Sequence, residues 1–268
     1  MQKNNTLQAD KITTHIANWL KDYATNAKVS GFVVGISGGV DSAVTSTLCA
    51  LTGLPTLCVE MPIHQAPSHV SRGREHIEQL KKRFSNVDSI ETNLTSVFEM
   101  FKSIVPSGDD EKKLHLSLAN TRARLRMTTL YYHAGIHSRL VVGTGNKVED
   151  FGVGFYTKYG DGGVDVSPIA DLMKSEVFQL AAFLRVPTSI LNAAPTDGLF
   201  GDDRSDEDQL GASYDELEWA MNAAEDGKEA KDFSGREAEV FSIYKRLNYV
   251  NQHKMIPIPI CKISEDLK

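Results

Sequence analysis

The feature that most constrains the fold is an apolar run, residues 32–36, that ends in Ser37-Gly38-Gly39. Four of its residues are apolar and three of these are β-branched, which is typical of a buried strand in a parallel sheet. After the glycines, apolar periodicity from Asp41 onward predicts a helix. Glycines let backbone N–H groups approach phosphate oxygens, and a helix N-terminus favours negative charge. The sequence therefore predicts a phosphate-binding loop here.

Asp41 lies inside this loop and would repel phosphates unless a divalent cation lay between them. Mg²⁺ fits, because it binds through one or two carboxylates together with phosphate oxygens. The loop lacks the Gly-Lys-Ser/Thr ending of a Walker loop and the three spaced glycines of a dinucleotide fingerprint. Taken alone, it is also compatible with an ordinary capped turn between a strand and a helix.

The first half of the chain alternates between predicted strands and helices. Strands are predicted at about 32–36, 54–61, 87–91 and 139–143, and helices at about 6–27, 41–51, 69–83, 94–104, 114–135 and 173–185. Such alternation predicts an α/β fold, a doubly wound parallel sheet with helices on both faces. Capping boxes at 213–216 and 234–237 predict two short helices, a short C-terminal helical extension. We expect one domain over residues 1–268, with a flexible acidic segment at 198–208.

Composition argues against several classes of protein. The net charge of −6 disfavours nucleic-acid binding, which needs a basic surface. Cys49, Cys58 and Cys261 have no metal-binding spacing, and we expect the first two to be buried free thiols in a reducing cytosol. With a polar N-terminus and no apolar run of membrane-spanning length, we expect a soluble, cytoplasmic protein with no membrane partner.

A second cluster of polar residues follows the fourth predicted strand. Glu149 comes after that strand as Asp41 comes after the first, so the two carboxylates can converge at the same edge of the sheet and hold Mg²⁺. Taken alone, a glutamate in this position is more often a solvated surface group. The following segment is dense in turn and polar residues, which predicts a shaped functional loop. It contains Gly152, Gly154, Phe155, Tyr156, Lys158, Gly160, Asp161, Gly162, Gly163 and Asp165.

Taken together, these motifs resemble the ammonia-dependent NAD synthetase family of the N-type ATP pyrophosphatases, over nearly the full length. The most specific motif is the run from Lys158 to Asp165, Lys-Tyr-Gly-Asp-Gly-Gly-Val-Asp, since several ATP pyrophosphatases share the Ser-Gly-Gly-x-Asp-Ser loop. The other matching motifs, in order, are Ala123-Arg124-Leu125-Arg126-Met127, Gly143-Thr144, Lys174, Pro195-Thr196 and His253-Lys254.

The resemblance implies an adenine nucleotide alpha hydrolase-like fold and a ligase that forms a carbon–nitrogen bond. The implied reaction is ATP-dependent amidation of nicotinic acid adenine dinucleotide (deamido-NAD) with ammonia, which yields NAD, AMP and pyrophosphate. The chemistry is consistent, because a carboxylate is a poor electrophile and must first become an acyl-adenylate, from which ammonia displaces AMP. The family resemblance also implies a homodimer.

The resemblance further implies a role for each matching residue. ATP is expected to contact Gly35, Ile36, Ser37, Gly38, Gly39, Val40, Asp41, Ser42, Thr144, Lys174 and Thr196. Deamido-NAD is expected to contact Arg124, Tyr131, Phe155, Lys158, Asp165, His253 and Lys254. Asp41 and Glu149 are the expected metal ligands. Lys174 is expected to act at the β and γ phosphates, and Asp161 is our candidate for holding ammonium or accepting its proton.

The sequence departs from the family pattern in three places. Gly145-Asn146 follows Thr144, where many members have Asp-His or Asp-Asn. The stretch between Glu149 and Gly154 is one residue longer than in some members. Asp197-Gly198 follows Thr196 where Ala-Asp or Ala-Gly is typical. These differences affect loop geometry rather than the class of reaction.

Three other functions are compatible with parts of the pattern. A GMP synthetase-like enzyme would need a glutaminase partner and a different C-terminal half, and a tRNA-modifying ATP pyrophosphatase would favour a basic domain or paired cysteines. A non-enzymatic adenine nucleotide sensor would not need Asp41, Glu149 and Lys174 together. No glutaminase-like segment precedes the first predicted helix, so we expect the nitrogen to come from free ammonia or from ammonia supplied by a separate protein.

Overall fold

A four-stranded parallel sheet forms the centre of the protein, whose computed structural model describes residues 7–65, 67–193 and 206–268. The strand order is β3-β2-β1-β4. The strands are β1 (Phe32–Gly35), β2 (Thr56–Glu60), β3 (Val87–Glu91) and β4 (Leu140–Val142). Phe32 of β1 lies opposite Thr56 on one side and Leu140 on the other, so β1 is a central strand. All four predicted strands are confirmed.

Helices connect these strands and continue the chain beyond them. They are α1 (Ala9–Asn26), α2 (Val40–Leu51), α3 (Pro67–Arg83), α4 (Thr95–Ile104), α5 (Glu111–His137), α6 (Lys174–Phe183), α7 (Thr188–Leu191), α8 (Asp206–Leu210), α9 (Tyr214–Glu225) and α10 (Gly235–Met255). A π-helical turn covers Val148–Val153, and 3₁₀ turns cover Ala230–Asp232 and Glu265–Leu267. The predicted helices are confirmed. Most of the expected flexible segment, up to residue 205, lies outside the described residues.

Side chains of β1 alternate between two apolar cores, as the pleat of a strand requires. Phe32 and Val34 pack with Leu20 of α1 and Leu48 of α2, in a core that also takes in α3 and α6. Val33 points to the opposite face, into a second core formed with α4 and α5. Each such fully buried apolar side chain contributes about 1.5–3 kcal/mol. The sheet therefore has helices on both faces, as predicted.

The C-terminal helices form a third core, which lies against the π-helical turn. Leu217 and Met221 of α9 and Phe241 of α10 pack there with Val148 and Val153. α10 has 21 residues and is longer than the short helix we predicted. The capping box predicted at Ser234 is wrong, since this side chain makes no capping hydrogen bond, whereas the one at Ser213 is present. The extension thus supports the segment that carries Glu149.

Two further expectations concern membranes and thiols. Across the described part of the chain, no helix combines the length and the apolar character that crossing a membrane requires. Cys49 and Cys58 are buried and unpaired, as expected, and Cys261 is exposed. Burial raises the pKa of the Cys58 thiol to about 12, so this group is unreactive near neutral pH.

Candidate active site

The glycine loop follows β1 and leads directly into α2. Gly38 has φ +84°, and a Cβ there would lie 2.5 Å from the His69 carbonyl oxygen, so only glycine fits. The loop is also held by its own hydroxyls. The Ser42 hydroxyl donates to the Gly39 carbonyl (3.0 Å), and the Gly39 N–H donates to the Ser37 hydroxyl (3.2 Å). The resulting turn is tight and preorganised.

A cavity of about 260 Å³ opens above this loop, at the carboxyl ends of the strands. The cavity brings together most of the residues predicted to bind ATP and metal. These are Gly35, Ile36, Ser37, Gly38, Gly39, Val40, Asp41, Ser42, Thr144, Glu149 and Lys174, together with Phe155 and Asp161. Of the predicted ATP contacts, Thr196 lies outside the described residues.

Lys174 lies at the centre of the charged cluster. Its ammonium donates to Asp41 Oδ2 (2.7 Å) and to Glu149 Oε1 (3.0 Å), and its side chain is only 4% exposed. Burial alone would lower the pKa of Lys174, but Asp41 and Glu149 outweigh this and raise it above its usual value. The lysine is therefore a permanent cation. Asp41 and Glu149, which we predicted to follow separate strands, therefore lie within hydrogen-bonding distance of the same ammonium group.

Two polar residues that the sequence did not single out complete this cluster. The Asn146 amide donates to Asp41 Oδ1 (3.1 Å), and the Tyr214 hydroxyl donates to Glu149 Oε1 (2.6 Å). Asn146 was seen only as a departure from the family pattern, and Tyr214 only as part of a capping box. Neither signal indicates a contact with a carboxylate that lies far away in the sequence.

Glu149 lies on the π-helical turn over Val148–Val153. Such turns are rare and frequently occur at functional sites. The turn ends at Gly154 in the left-handed conformation, and the Phe155 N–H donates back to the Glu149 carbonyl (2.9 Å). The turn therefore fixes the backbone from which the Glu149 side chain projects.

Asp150 leaves room only for glycine at position 145, which belongs to the first departure noted in the sequence. A Cβ on Gly145 would lie 2.1–2.3 Å from the Asp150 carboxyl group, so Asp150 fills the space that a larger residue would need. Burial, followed by repulsion from Glu149, raises the pKa of Asp150 to about 8. Sequence reasoning missed this carboxyl group, because its proximity to Gly145 depends on the π-helical turn.

Asp161 lies on the wall of the cavity, in a turn that its own side chain stabilises. Its Oδ1 accepts the Thr157 N–H (3.0 Å), and the Thr157 hydroxyl donates to the Asn120 side chain (2.6 Å). Asp161 is exposed at the cavity wall, and partial loss of hydration there raises the pKa of its carboxyl group to about 6. A carboxyl group with such a pKa can exchange protons near neutral pH.

The residues predicted to bind deamido-NAD lie mostly beside the cavity, and among the described residues only Phe155 of that group lines it. The Lys158 ammonium donates to the His253 carbonyl (2.5 Å), and Arg124 donates to the Lys158 carbonyl (3.3 Å). The Lys254 ammonium donates to the carbonyls of Gly154 (2.7 Å) and Tyr156 (2.8 Å). These cations form a group on the π-turn side of the cavity.

Tyr131 and Asp165 instead contact each other, at the outer side of β4. The Tyr131 hydroxyl donates to Asp165 Oδ1 (3.0 Å), and Asp165 Oδ2 accepts the Val141 N–H (2.8 Å). Burial, together with this hydrogen bond to Asp165, raises the pKa of Tyr131 above its usual value. The pair therefore holds β4 in place, and it is also partly exposed at the surface.

The donor set around Lys174 fits Mg²⁺. Within the described ranges, no three His, Cys, Asp or Glu side chains form a complete metal-binding cluster, and Asp41 and Glu149 offer two carboxylates. Mg²⁺ commonly uses one or two carboxylates and fills its other positions with water and phosphate oxygens. Two carboxylates with one ammonium carry a net negative charge, which favours a further cation once phosphates are present.

A parallel sheet with a glycine loop after its central strand, facing paired carboxylates and a buried lysine, defines an α/β nucleotide-binding enzyme. The sequence model described as NAD synthase matches residues 12–257. The NH(3)-dependent NAD(+) synthetase of Carboxydothermus hydrogenoformans is 36% identical over 244 residues, 90% of this chain and 93% of that protein. The synthetase of the same name from Methanosarcina mazei is 34% identical, over 95% of this chain and 98% of that protein.

A solved structure is similar over the same extent. The NMN synthetase of Francisella tularensis is 32% identical and superposes with a TM-score of 0.83, over 96% of this chain and 100% of that one. The chain therefore belongs to the NAD synthase family. The predicted family and fold class are confirmed, and the name shared by the curated relatives implies the predicted enzyme class, a ligase that forms a carbon–nitrogen bond.

Proposed function

We propose that this protein is an ammonia-dependent NAD synthetase, which amidates nicotinic acid adenine dinucleotide at the expense of ATP. The observation that carries the proposal is the convergence of Asp41, Glu149 and Lys174 beside the glycine loop. A nucleotide sensor does not need two carboxylates and a buried lysine at the phosphate end of its pocket. The names of the relatives, which match over nearly their full length, support the same reaction and the use of ammonia.

In the first step the nicotinate carboxylate attacks the α-phosphorus of ATP. The acyl-adenylate forms and pyrophosphate leaves. The N–H groups of the glycine loop and the helix N-terminus of α2 would hold the phosphates in line for this attack. Lys174 would offer a fixed positive charge to the departing pyrophosphate. Asp41 and Glu149 would hold Mg²⁺, which neutralises charge on the ATP oxygens when it is bound.

In the second step ammonia attacks the acyl carbon, and AMP leaves. Ammonium must lose a proton before its nitrogen can attack. Asp161 lies on the cavity wall and its pKa is raised to about 6, so it is suited to hold the ammonium ion or accept its proton. Arg124, Lys158, His253 and Lys254 would bind the anionic acceptor near this wall, with Phe155 packing against its ring.

A second candidate acceptor is nicotinic acid mononucleotide. The Francisella protein, which is 32% identical to this chain, is described as an NMN synthetase. In addition, Lys158 and Lys254 both donate to backbone carbonyls, so the cations available to a second nucleotide are partly engaged. The chemistry at the carboxylate is the same for both acceptors, and only the length of the acceptor differs.

The test is to incubate the purified protein with ATP, Mg²⁺ and ammonium, and with one acceptor at a time. We expect AMP and pyrophosphate with the deamido dinucleotide and little product with xanthosine monophosphate. With a carboxyl-¹⁸O acceptor, one labelled oxygen should appear in AMP, because the carboxylate oxygen becomes part of the phosphate. Formation of ADP, or unlabelled AMP, would contradict the mechanism, and faster reaction of the mononucleotide would change the substrate assignment.

Two variants and one nitrogen source complete this experiment. Asp41→Asn should abolish product formation, whereas Asp215→Asn, the same change at an exposed position of α9, should leave the rate unchanged. Ammonium should support a much faster reaction than glutamine. Efficient use of glutamine by this chain alone would contradict ammonia dependence.

We also propose a homodimer, located in the cytoplasm and built from one domain per chain. An exposed apolar stripe on α4 supports the dimer, since Val97, Met100, Phe101 and Ile104 follow helical spacing and are 38–72% exposed. Light scattering should give twice the mass of the chain. Met100→Glu combined with Ile104→Lys should give the monomer mass, and a wild-type monomer would remove this part of the proposal.

A further inference from the structure

Helix α9 is fixed at its first turn more firmly than a surface helix requires. Ser213 and Glu216 form the capping box, and Arg236 of α10 donates twice to the Glu216 carboxylate (2.7 and 2.8 Å). These hydrogen bonds, with that from Arg236 first, lower the pKa of Glu216 to about 2. The Tyr214 N–H donates to the Glu207 carboxylate (2.9 Å). The backbone of Tyr214 is thereby held directly by Glu207 and indirectly by the contacts of its neighbours Ser213 and Glu216.

From this fixed turn, two side chains on one face of α9 reach the elements that carry the charged cluster. The Tyr214 hydroxyl contacts Glu149 on the π-helical turn. Glu218, four residues later, accepts both the N–H and the hydroxyl of Ser175 (2.8 and 2.6 Å), next to Lys174 at the start of α6. Residues four apart share a helix face. One helix therefore sets the relative position of Glu149 and Lys174.

The side chain of Tyr214 lies among three charged groups. Its hydroxyl lies 2.6 Å from Glu149 Oε1 and 3.4 Å from Asp206 Oδ2, and its ring lies 4.7 Å below the Lys174 ammonium. The side chain is buried, with 5% of its surface exposed. A phenol has one proton, and the shorter distance assigns it to Glu149.

We propose that Tyr214 is a positioning residue, which orients the Glu149 carboxylate and the Lys174 ammonium to receive Mg²⁺ and the ATP phosphates. The inference rests on the proposed function, because it assumes that this cluster binds ATP. The hydroxyl fixes one oxygen of Glu149, and the ring provides a negative face beneath the ammonium. Tyr214 itself touches neither nucleotide nor acceptor in this assignment.

The direct test is Tyr214→Phe, which keeps the ring and removes only the hydroxyl. ATP binding is measured by calorimetry with Mg²⁺ and with EDTA, in the absence of acceptor. We expect affinity in Mg²⁺ to fall by about 10- to 100-fold, the usual effect of losing a residue that orients a metal ligand, and affinity in EDTA to be unchanged. In turnover, the Mg²⁺ concentration for half-maximal rate should rise while the acceptor KM stays constant.

Tyr244→Phe is the matched control. Tyr244 packs against the same C-terminal core, with its ring 6.4 Å from that of Phe241, and the described residues offer its hydroxyl no hydrogen bond. This variant should bind Mg²⁺ and ATP like the wild type. A purely structural role of Tyr214 would lower the melting temperature and leave the Mg²⁺ dependence unchanged, which would overturn the proposal. Failure of Tyr214→Phe to fold would also overturn it, since the hydroxyl would then serve the fold.

A double-mutant cycle tests whether Tyr214 acts through Glu149. In a Glu149→Gln background, Tyr214→Phe should cause no further loss of affinity in Mg²⁺, because the carboxylate it orients is gone. A loss as large as in the wild-type background would overturn the assignment. Since these binding measurements need no acceptor, a failed amidation assay with intact coupling would refute the proposed function alone.

Discussion

The lysines on the two sides of the cavity have hydrogen-bond partners of different charge. On the phosphate side, Lys174 is enclosed by two carboxylates, which raise its pKa. On the acceptor side, Lys254 donates to two backbone carbonyls, and burial lowers its pKa despite the nearby Asp161. The first cation is neutralised before any ligand arrives, whereas the second keeps its charge for an anion. Binding of metal and triphosphate must therefore rearrange the contacts between Lys174 and its two carboxylates. An acidic acceptor can bind beside Lys254 without displacing a carboxylate.

The largest effect should come from Lys174→Met, which breaks the phosphate side of this comparison. Two carboxylates that are only 16–17% exposed would then face each other without their cation. Removing one partner of a buried ion pair costs about 3–5 kcal/mol, so urea unfolding should show a loss of that order, together with loss of activity. Mg²⁺ should restore more stability to this variant than to the wild type.

Lys147→Met provides the control, because Lys147 pairs with Glu225 at 3.4 Å on the surface. Breaking such an exposed pair costs about 1 kcal/mol or less. Equal stability of the two variants, or the absence of any rescue by Mg²⁺, would show that the carboxylates do not depend on a cation between them.

Asp161→Asn should produce the next largest effect, on the amidation step alone. An amide cannot accept a proton, so amide formation should slow by about 100-fold or more, with ATP binding unchanged. In the wild type the rate should fall as the pH drops through about 6, because protonated Asp161 is inactive. The Asp161→Asn variant should not show this fall in rate at low pH. Rapid-quench detection of acyl-adenylate separates the two steps.

The raised pKa of Asp161 also affects how the stability of the fold depends on pH. Since the folded-state pKa of Asp161 is raised, ionisation costs the folded state free energy as the pH rises from about 4 to about 6. The Asn variant should lose less stability than the wild type over that range. Asp171→Asn, at an exposed position ten residues away, should change neither profile. Normal amidation by Asp161→Asn would exclude the proposed proton transfer.

Local patterns were sufficient to predict the sheet and the phosphate side of the site. The strands follow from short β-branched runs, and the loop over Ser37 to Ser42 follows from glycine and capping chemistry, both of which act within a few residues. Parallel topology then brings Asp41 and Glu149 to one edge of the sheet without knowledge of any other contact. These predictions needed only neighbours in sequence and the direction of the strands.

The remaining features depend on contacts between distant segments. The hydrogen bond from Asn146 to Asp41 and that from Tyr214 to Glu149 each join residues far apart in the sequence, and the second follows from the packing of α9 on the π-helical turn. The length of α10 is set by tertiary packing and not by its capping residue. No periodicity in the sequence encodes such side-chain positions, because each depends on a partner in another element.

A smaller effect is expected from Gly38→Ala, which tests how closely the phosphate side is packed. Alanine at φ +84° costs roughly 1–2 kcal/mol in backbone conformation, and its Cβ would also meet the His69 carbonyl. Gly53→Ala is the matched control, since Gly53 has φ +77° with nothing within 4 Å of the added atom. The ATP affinity should fall about tenfold in the first variant only, the equivalent of about 1.4 kcal/mol. Equal behaviour would mean that the loop tolerates displacement.

The smallest effect should come from Lys254→Met, which tests the acceptor side. Here the lost groups are hydrogen bonds from an ammonium to two carbonyls, and the fold should lose only about 1 kcal/mol. The acceptor KM should rise several-fold while the KM for ATP stays constant, because the missing charge faces the acceptor alone. Lys245→Met, an exposed change on the same helix, should alter neither constant. A parallel rise in both KM values would mean that the two sides are coupled, and that the cation near Gly154 supports the turn that carries Glu149 rather than the acceptor.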